Sequence, residues 1–127
     1  KRAAAYIRPD ISVAGGISAL KKIAAIAEAN YVGVIPHNPM SGVATAACVH
    51  LDAAIHNCPV QEYVGDEFEK PKIDLVPEPV RFEKGYLIVP DKPGLGVDLN
   101  DEALKHYPPK SFKRAPSVFP DGALRDY

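Results

Sequence analysis

The chain has 127 residues, with 15 lysine and arginine residues against 16 aspartate and glutamate residues, and a formal net charge of −1. This balance gives no electrostatic reason to expect binding to nucleic acid or to an anionic membrane surface. No apolar stretch approaches the roughly 18 residues that a membrane-spanning helix needs, and no signal-peptide pattern opens the sequence. The length suffices for one modest domain with a core of its own.

The two halves of the chain differ in composition. Residues 1–65 are rich in alanine, valine and isoleucine and contain four prolines, whereas residues 66–127 contain nine. The first half therefore predicts repeated α/β structure, and the second predicts an irregular segment. Because the sequence starts at Lys1 and runs almost at once into a predicted strand, we expect a C-terminal piece of a longer protein.

Strands and helices alternate in the first half. A short apolar run before Asp10 predicts a first strand, and Gly15-Gly16 lets the chain turn sharply after it. A helix follows, because apolar side chains recur at three- and four-residue steps. These side chains are Ile17, Leu20, Ile23, Ala24 and Ala27. The apolar run at residues 32–36 predicts a second strand that is buried on both faces.

The same order continues once more along the chain. Residues 43–55 predict a second, alanine-rich helix, and residues 60–63 predict a third strand. The order β-α-β-α-β predicts three parallel strands joined by right-handed crossovers. Such a sheet leaves two edges and one face uncovered, so we expect the rest of a barrel or another sheet to cover them.

The second half predicts fewer elements. Residues 66–79 are polar and lack periodicity, which indicates a loop. Residues 81–82 and 86–89 predict a hairpin around Gly85. Asn100 or the residue after it is suited to cap a short helix that ends near position 105.

Three polar residues follow the three predicted strands at nearly equal spacing. They are Asp10, His37 and Glu62, separated by 27 and 25 residues, which is about one strand–helix–strand unit. Parallel strands would place all three side chains at carboxyl ends, the face that carries the active site of a β/α barrel. A carboxylate beside an imidazole fixes its tautomer, raises its basicity and makes it a general base. The spacing therefore predicts an acid–base site.

Two members of this set also fit a structural role. An aspartate in the position of Asp10 often caps the following helix, and His37 is suited to a hydrogen bond within a loop. Glu62 is less ordinary, because glutamate is disfavoured in strands. We interpret the matching positions of all three as functional, and the other histidines as structural or solvated: His50, His56 and His106.

The two cysteines, Cys48 and Cys58, are interpreted as buried free thiols. Their ten-residue separation, without a histidine cluster nearby, makes a poor zinc site. A reducing cytoplasm is the simplest compartment for such thiols, so we expect a cytoplasmic protein.

Six stretches carry a resemblance to a known family: residues 8–17, 35–39, 46–55 with Asn57, 60–62, 85–97 and 120–127. They include the spaced aspartate, histidine and glutamate and the Gly-Gly pair. On these residues the chain resembles the enolase superfamily in its mandelate racemase branch, most of all the acid-sugar dehydratases of the galactonate type.

The resemblance implies an α/β fold, the C-terminal part of a (β/α)7β barrel of the TIM type. Residues 1–79 would supply strands six to eight of that barrel. Residues 80–127 would form a C-terminal segment with a hairpin and a tail that packs toward a capping domain. We therefore expect the chain beyond about residue 80 to extend away from the barrel strands.

The resemblance also implies roles for the site residues. Asp10 and His37 match the aspartate–histidine dyad of the family, in which the histidine takes a proton alpha to a carboxylate. Glu62 matches the glutamate that hydrogen-bonds the substrate carboxylate. The ligands of Mg²⁺ and a second acid belong to earlier strands, so no metal ligand is assigned in this chain.

The implied activity is the magnesium-dependent dehydration of a sugar acid, a galactonate-like aldonate, to a 2-keto-3-deoxy acid. The chain alone would be inactive. Its partners would be the small sugar acid and the remainder of the same enzyme, in a homo-oligomer, with neither nucleic acid nor membrane. Two alternatives stay open: a racemase, epimerase or cycloisomerase on the same scaffold, and a non-catalytic α/β binding module.

Overall fold

The computed structural model describes residues 3–110, 119, 121 and 123. Its elements in chain order are β1 (Tyr6–Ile7), α1 (Gly16–Ala29), β2 (Gly33–Val34), α2 (Gly42–Asp52), α3 (Lys72–Leu75), β3 (Phe82–Glu83), β4 (Tyr86–Leu87) and α4 (Asp101–His106). The first half is an α/β structure, as predicted. None of the described helices is both long enough and apolar enough to cross a membrane.

The strands β1 and β2 pair in parallel, with Ile7 opposite Val34. The pairing continues past both strands, where the His37 N–H donates to the Pro9 carbonyl at 3.0 Å and Asp10 forms a parallel bridge with His37. Val34 is fully buried, as expected for a strand covered on both faces. The first two predicted strands are confirmed, and their ends lie side by side.

Helix α1 covers this sheet with the apolar face that its periodicity predicts. Leu20, Ala24 and Ala27 are buried, and the two alanines pack in one cluster with Val34. Gly15, just before the helix, has a φ of 103°, a left-handed conformation that favours glycine. The predicted helix and the sharp turn before it are confirmed.

Helix α2 begins after Ser41, whose Oγ accepts the Ala44 N–H at 3.3 Å and caps the helix. It ends at Asp52, three residues before the predicted end. Just beyond, the Ala54 N–H bonds to the Leu51 carbonyl and the chain leaves the helix in a tighter turn. Most of the helix is buried, at Gly42, Ala44, Thr45, Ala46, Cys48, Val49 and Leu51.

The predicted third strand at residues 60–63 is not formed as a strand in the part of the chain that the structure describes. The segment before it still pairs with β2, since the Val34 N–H donates to the Asn57 carbonyl at 2.8 Å. Farther along, Pro36 has no N–H to donate to a ladder, and its carbonyl is bonded by the Gln61 side chain at 3.0 Å. A side chain thus replaces the backbone pairing that the sequence pattern predicts.

The second half contains one element more than predicted. Residues 66–79 include the single-turn helix α3, so this segment is not wholly a loop. The hairpin is confirmed, with Phe82 opposite Leu87 and Gly85 at a φ of 87° in the turn. The short helix α4 is also confirmed, and its cap is Asn100, whose Oδ1 accepts the N–H of Glu102 at 3.2 Å.

Residues 80–97 pack against helix α2, and not against the strands. Val80 is buried in a cluster with Ala46 and Val49, and residues as far as Val97 pack against that cluster. The Nε2 atom of His50 lies 3.2 Å from a carbonyl of this segment. Apolar side chains of residues 80–97 pack against α2. The composition of the second half of the chain did not indicate this contact. Most of residues 120–127 lie outside the described residues.

Candidate active site

The predicted site begins where β1 and β2 end. The register of the pair places each residue of the first strand opposite the residue 27 positions later, and Asp10 and His37 are separated by the same 27 positions. The two side chains therefore emerge at one level of the sheet. Asp10 Oδ2 lies 2.8 Å from His37 Nδ1, so the predicted contact between them is confirmed.

Asp10 has a separate use for each carboxylate oxygen. Its Oδ1 accepts the backbone N–H groups of Ser12 at 2.8 Å and Val13 at 3.1 Å, while Oδ2 faces the imidazole. Burial acts to raise the pKa of Asp10, but the hydrogen bonds from His37, Val13 and Ser12 outweigh it and hold the pKa below its usual value. The capping role and the dyad contact are thus both present, and the cap fixes the carboxylate that faces His37.

The His37 ring is partly open to the outside, with 35% of its side chain exposed. Because Nδ1 faces Asp10, Nε2 is the ring nitrogen left to exchange a proton. An imidazole that a carboxylate orients in this way can act as a general base.

Glu62 lies at the same end of the sheet and is held from two sides. Its Oε2 accepts the backbone N–H of Asn38 at 3.0 Å and the Nε–H of Arg8 at 3.3 Å, and the Arg8 terminal N–H also bonds Oε1. The hydrogen bond from Arg8 is the main reason that the pKa of Glu62 lies below its usual value. The backbone of Asn38, the residue after His37, therefore connects Glu62 to the segment that carries the dyad histidine.

Arg8 was missed as a site residue. Residues alternate between the two faces of a strand, and Arg8 stands two positions before Asp10, so the sequence placed both on one face. The signal was present, but Arg8 lies 54 positions from Glu62, and nothing in the local pattern identifies that partner.

A buried polar chain behind the site was also missed. The Asn38 Nδ2 donates to Thr45 Oγ1 at 2.7 Å, and Thr45 in turn hydrogen-bonds Glu67. All three residues are at most 5% exposed. Burial raises the pKa of the Glu67 carboxyl, against the hydrogen bond from Thr45. No sequence signal marked Glu67, which stands in the polar segment interpreted as a loop.

The remaining candidates behave as structural groups. Cys48 is buried and Cys58 is partly buried, and both are free thiols, as interpreted. Burial raises the pKa of each to about 12, which makes them poor nucleophiles near neutral pH. His106 lies 3.0 Å from the Glu102 carbonyl through Nδ1.

The described residues contain no group of three or more histidine, cysteine, aspartate or glutamate side chains that could hold a metal ion. Asp10 and His37 are bonded to each other, and Glu62 is paired with Arg8. These three side chains therefore do not fit a metal site.

Both the sequence and the structure of this chain are similar to those of known proteins. A family model described as enolase C-terminal domain-like matches residues 1–103. The chain is 37% identical over 134 aligned residues to a D-galactonate dehydratase of Pectobacterium atrosepticum, an alignment that covers 97% of this chain and 34% of that protein. The chain thus spans about a third of the length of this relative.

Two solved structures share the fold. An enolase described as a putative galactarate dehydratase from Agrobacterium radiobacter, with bound Na and L-malate, has a TM-score of 0.81 and 38% identity over 97% of this chain and 34% of that chain. An enolase from Pantoea ananatis with bound D-gluconate and Mg has a TM-score of 0.82 and 34% identity over 94% of this chain and 29% of that chain. The chain belongs to the enolase C-terminal domain-like family, within the enolase superfamily.

Proposed function

We propose that this chain is the C-terminal part of an enzyme that dehydrates a sugar acid, a galactonate-like aldonate, to a 2-keto-3-deoxy acid. The observation that carries the proposal is the 2.8 Å contact between Asp10 Oδ2 and His37 Nδ1 beyond a pair of parallel strands. The D-galactonate dehydratase relative and the neighbour with bound D-gluconate and Mg support the substrate class.

Within the complete enzyme, residues 1–79 would occupy the last part of a (β/α)7β barrel. In this proposal β1 and β2 take the places of its sixth and seventh strands, and residues 60–63 take the place of the eighth. Residues 80–127 form the second unit, which begins on α2 and leads toward a capping domain. A cytoplasmic location and a homo-oligomer remain predictions.

The chemistry assigned to these residues starts from a weak acid. The hydrogen alpha to a carboxylate is very weakly acidic, so its removal needs a positioned base. His37 accepts that proton at Nε2, and Asp10 holds the ring and stabilises its protonated form. The hydroxyl on the next carbon then leaves as water, with a proton from a general acid outside this chain. The resulting enol becomes the keto acid. Glu62 contacts the bound sugar acid at the same end of the sheet.

We infer that the enzyme also depends on magnesium, whose ligands would come from the remainder of the protein. A bound divalent cation stabilises the negative charge that develops when the alpha proton is removed.

The test is a substitution of the proposed base in the complete protein that carries this chain. His37→Asn should abolish exchange of the alpha hydrogen of D-galactonate or D-gluconate with solvent deuterium, followed by proton NMR, because no base remains at the dyad. His56→Asn is the matched control, since His56 is exposed and away from the dyad. With this variant the alpha hydrogen should exchange as fast as with the unaltered protein.

Two outcomes would contradict the proposal. Unchanged exchange in His37→Asn would rule out His37 as the base. Exchange without loss of water in the unaltered protein would instead favour a racemase or epimerase on this scaffold.

A further inference from the structure

The backbone around the dyad histidine has few hydrogen-bond donors of its own. Pro36 and Pro39 have no N–H group, so the donors between them belong to His37 and Asn38. The His37 N–H is used in the pairing with the segment after β1, and the Asn38 N–H bonds Oε2 of Glu62 at 3.0 Å. The placement of the Asn38 peptide therefore decides whether Glu62 has this donor.

The side chain of Asn38 begins a buried chain of hydrogen bonds. Its Nδ2 donates to Thr45 Oγ1 on α2 at 2.7 Å, and the Thr45 hydroxyl donates to Oε1 of Glu67. Asn38 is 3% exposed, Thr45 is fully buried and Glu67 is 5% exposed. We propose that Glu67 is a positioning residue, which through Thr45 and Asn38 fixes the peptide that donates to Glu62.

The two ends of this chain of bonds lie on one segment, because Glu67 stands five positions after Glu62. That segment accepts the Asn38 N–H at Glu62 and the Thr45 hydroxyl at Glu67. The Asn38 Nδ2 also lies 3.4 Å from the Glu62 carbonyl. A threonine has a single hydroxyl hydrogen, and since Oγ1 accepts from Asn38, Glu67 is the acceptor for it. Asn38 is thus held between this segment and α2.

Stability alone does not explain a carboxyl group at this place. Burying a polar group costs free energy unless hydrogen bonds within the protein replace those to water. Among the described residues, Oε2 of Glu67 and Oδ1 of Asn38 have no hydrogen-bond partner. An apolar side chain at position 67 would avoid that cost for Glu67, but it could not accept from Thr45. Polar groups that are retained at such a cost are typical of functional sites.

The consequence for catalysis rests on the proposed function, in which Glu62 contacts the sugar acid. Asn38 directly follows the proposed base, His37, and its N–H bonds Glu62. A fixed Asn38 peptide therefore keeps the base and the substrate-binding glutamate in one arrangement, and catalysis depends on such preformed geometry. Glu67 acts on this arrangement only through Thr45 and Asn38.

The test measures exchange of the Asn38 amide hydrogen with solvent in the complete protein, without substrate. Asparagine and leucine are labelled with ¹⁵N for NMR, and the Asn38 signal is the one that Asn38→Gln removes. The amide of Leu20, on the buried face of α1, reports opening of the whole fold, and Leu20→Met identifies it. Glu67→Leu should raise the ratio of the Asn38 rate to the Leu20 rate by about tenfold, because the acceptor is lost. Glu67→Gln keeps an oxygen that accepts from Thr45, so the ratio should stay within about twofold of the unaltered value.

Thr45→Val breaks the same chain of bonds in its middle and should raise the ratio as Glu67→Leu does, so it serves as the test where Glu67→Leu does not fold. Asp66→Asn is the matched control, since Asp66 binds Lys72 at 2.7 Å and lies outside the chain of bonds. It should leave the ratio unchanged.

An unchanged ratio in Glu67→Leu and Thr45→Val would overturn the proposal, whether both amides exchange faster to the same extent or neither does. A ratio that Glu67→Gln raises as much as Glu67→Leu does would also overturn it, because the acceptor is kept in that variant. Because the measurement needs no substrate, its failure is distinguishable from failure of the proposed dehydratase reaction.

Discussion

At the scale of single residues, the decisive group is the carboxylate of Asp10. In Asp10→Asn, the amide N–H would face His37 Nδ1 and favour the tautomer that carries its hydrogen on Nε2. That nitrogen could then no longer accept the alpha proton. On the proposed function, we expect kcat of the complete protein with D-galactonate to fall by about 10²- to 10⁴-fold, less than for His37→Asn, in steady-state assays.

The same variant has a pH signature in stability. The pKa of Asp10 is lowered in the folded chain, so Asp10 stabilises the fold above its unfolded pKa and loses that contribution as pH falls through the folded value. Asp10→Asn should therefore be less sensitive to acid below about pH 4 in thermal unfolding. Asp91→Asn, at an exposed position, serves as control. For the activity of this variant, a kcat equal to that of the unaltered protein would contradict the role assigned to the Asp10–His37 dyad.

At the scale of elements, one asparagine joins three parts of the α/β unit. The Asn57 Nδ2 donates to the Ala24 carbonyl of α1 at 3.1 Å and to the Val32 carbonyl before β2 at 3.0 Å. These bonds fix the segment that leads to Glu62, where a strand was predicted and is not formed. Asn57→Ala removes both of these part-buried hydrogen bonds and should lower the free energy of unfolding by about 1–3 kcal/mol.

Asn30→Ala is the matched control for this change. The Asn30 side chain makes a single exposed bond to the Ile26 carbonyl at 2.9 Å, so its loss should cost less than about 0.5 kcal/mol. Urea denaturation of the complete protein measures both variants. Equal effects would show that Asn57 does not connect the elements as described.

At the scale of the whole molecule, the chain leaves much apolar surface uncovered. Large apolar side chains more than half exposed include Tyr6, Val60, Val64 and Phe68. Large exposed apolar surfaces mark places that another part of a protein covers, or that aggregate when uncovered. We predict that residues 1–127 produced alone are molten or aggregated, with poor amide dispersion in ¹H–¹⁵N NMR and no cooperative thermal transition.

The control for this prediction is the complete protein, which should unfold cooperatively. Sharp amide dispersion and a cooperative transition in the 127-residue chain alone would show an autonomous domain and contradict the barrel placement.

The sequence by itself determined the features that depend on local spacing. The periodicity around Leu20 and the Gly15-Gly16 pair defined α1 and its turn, because helix faces repeat within a few residues. The 27-residue step from Asp10 to His37 predicted their contact, since parallel strands joined by one helix place equivalent residues side by side.

Only the tertiary structure decided which distant groups meet. Arg8 bonds Glu62 across 54 positions and Thr45 bonds Glu67 across 22. Such pairs follow from packing, which local propensity does not predict. The same holds for residues 60–63, where Pro36 offers no ladder donor, and for Val80, which is buried on α2. Spacing along the chain thus predicted where the dyad lies, and packing alone decided what surrounds Glu62.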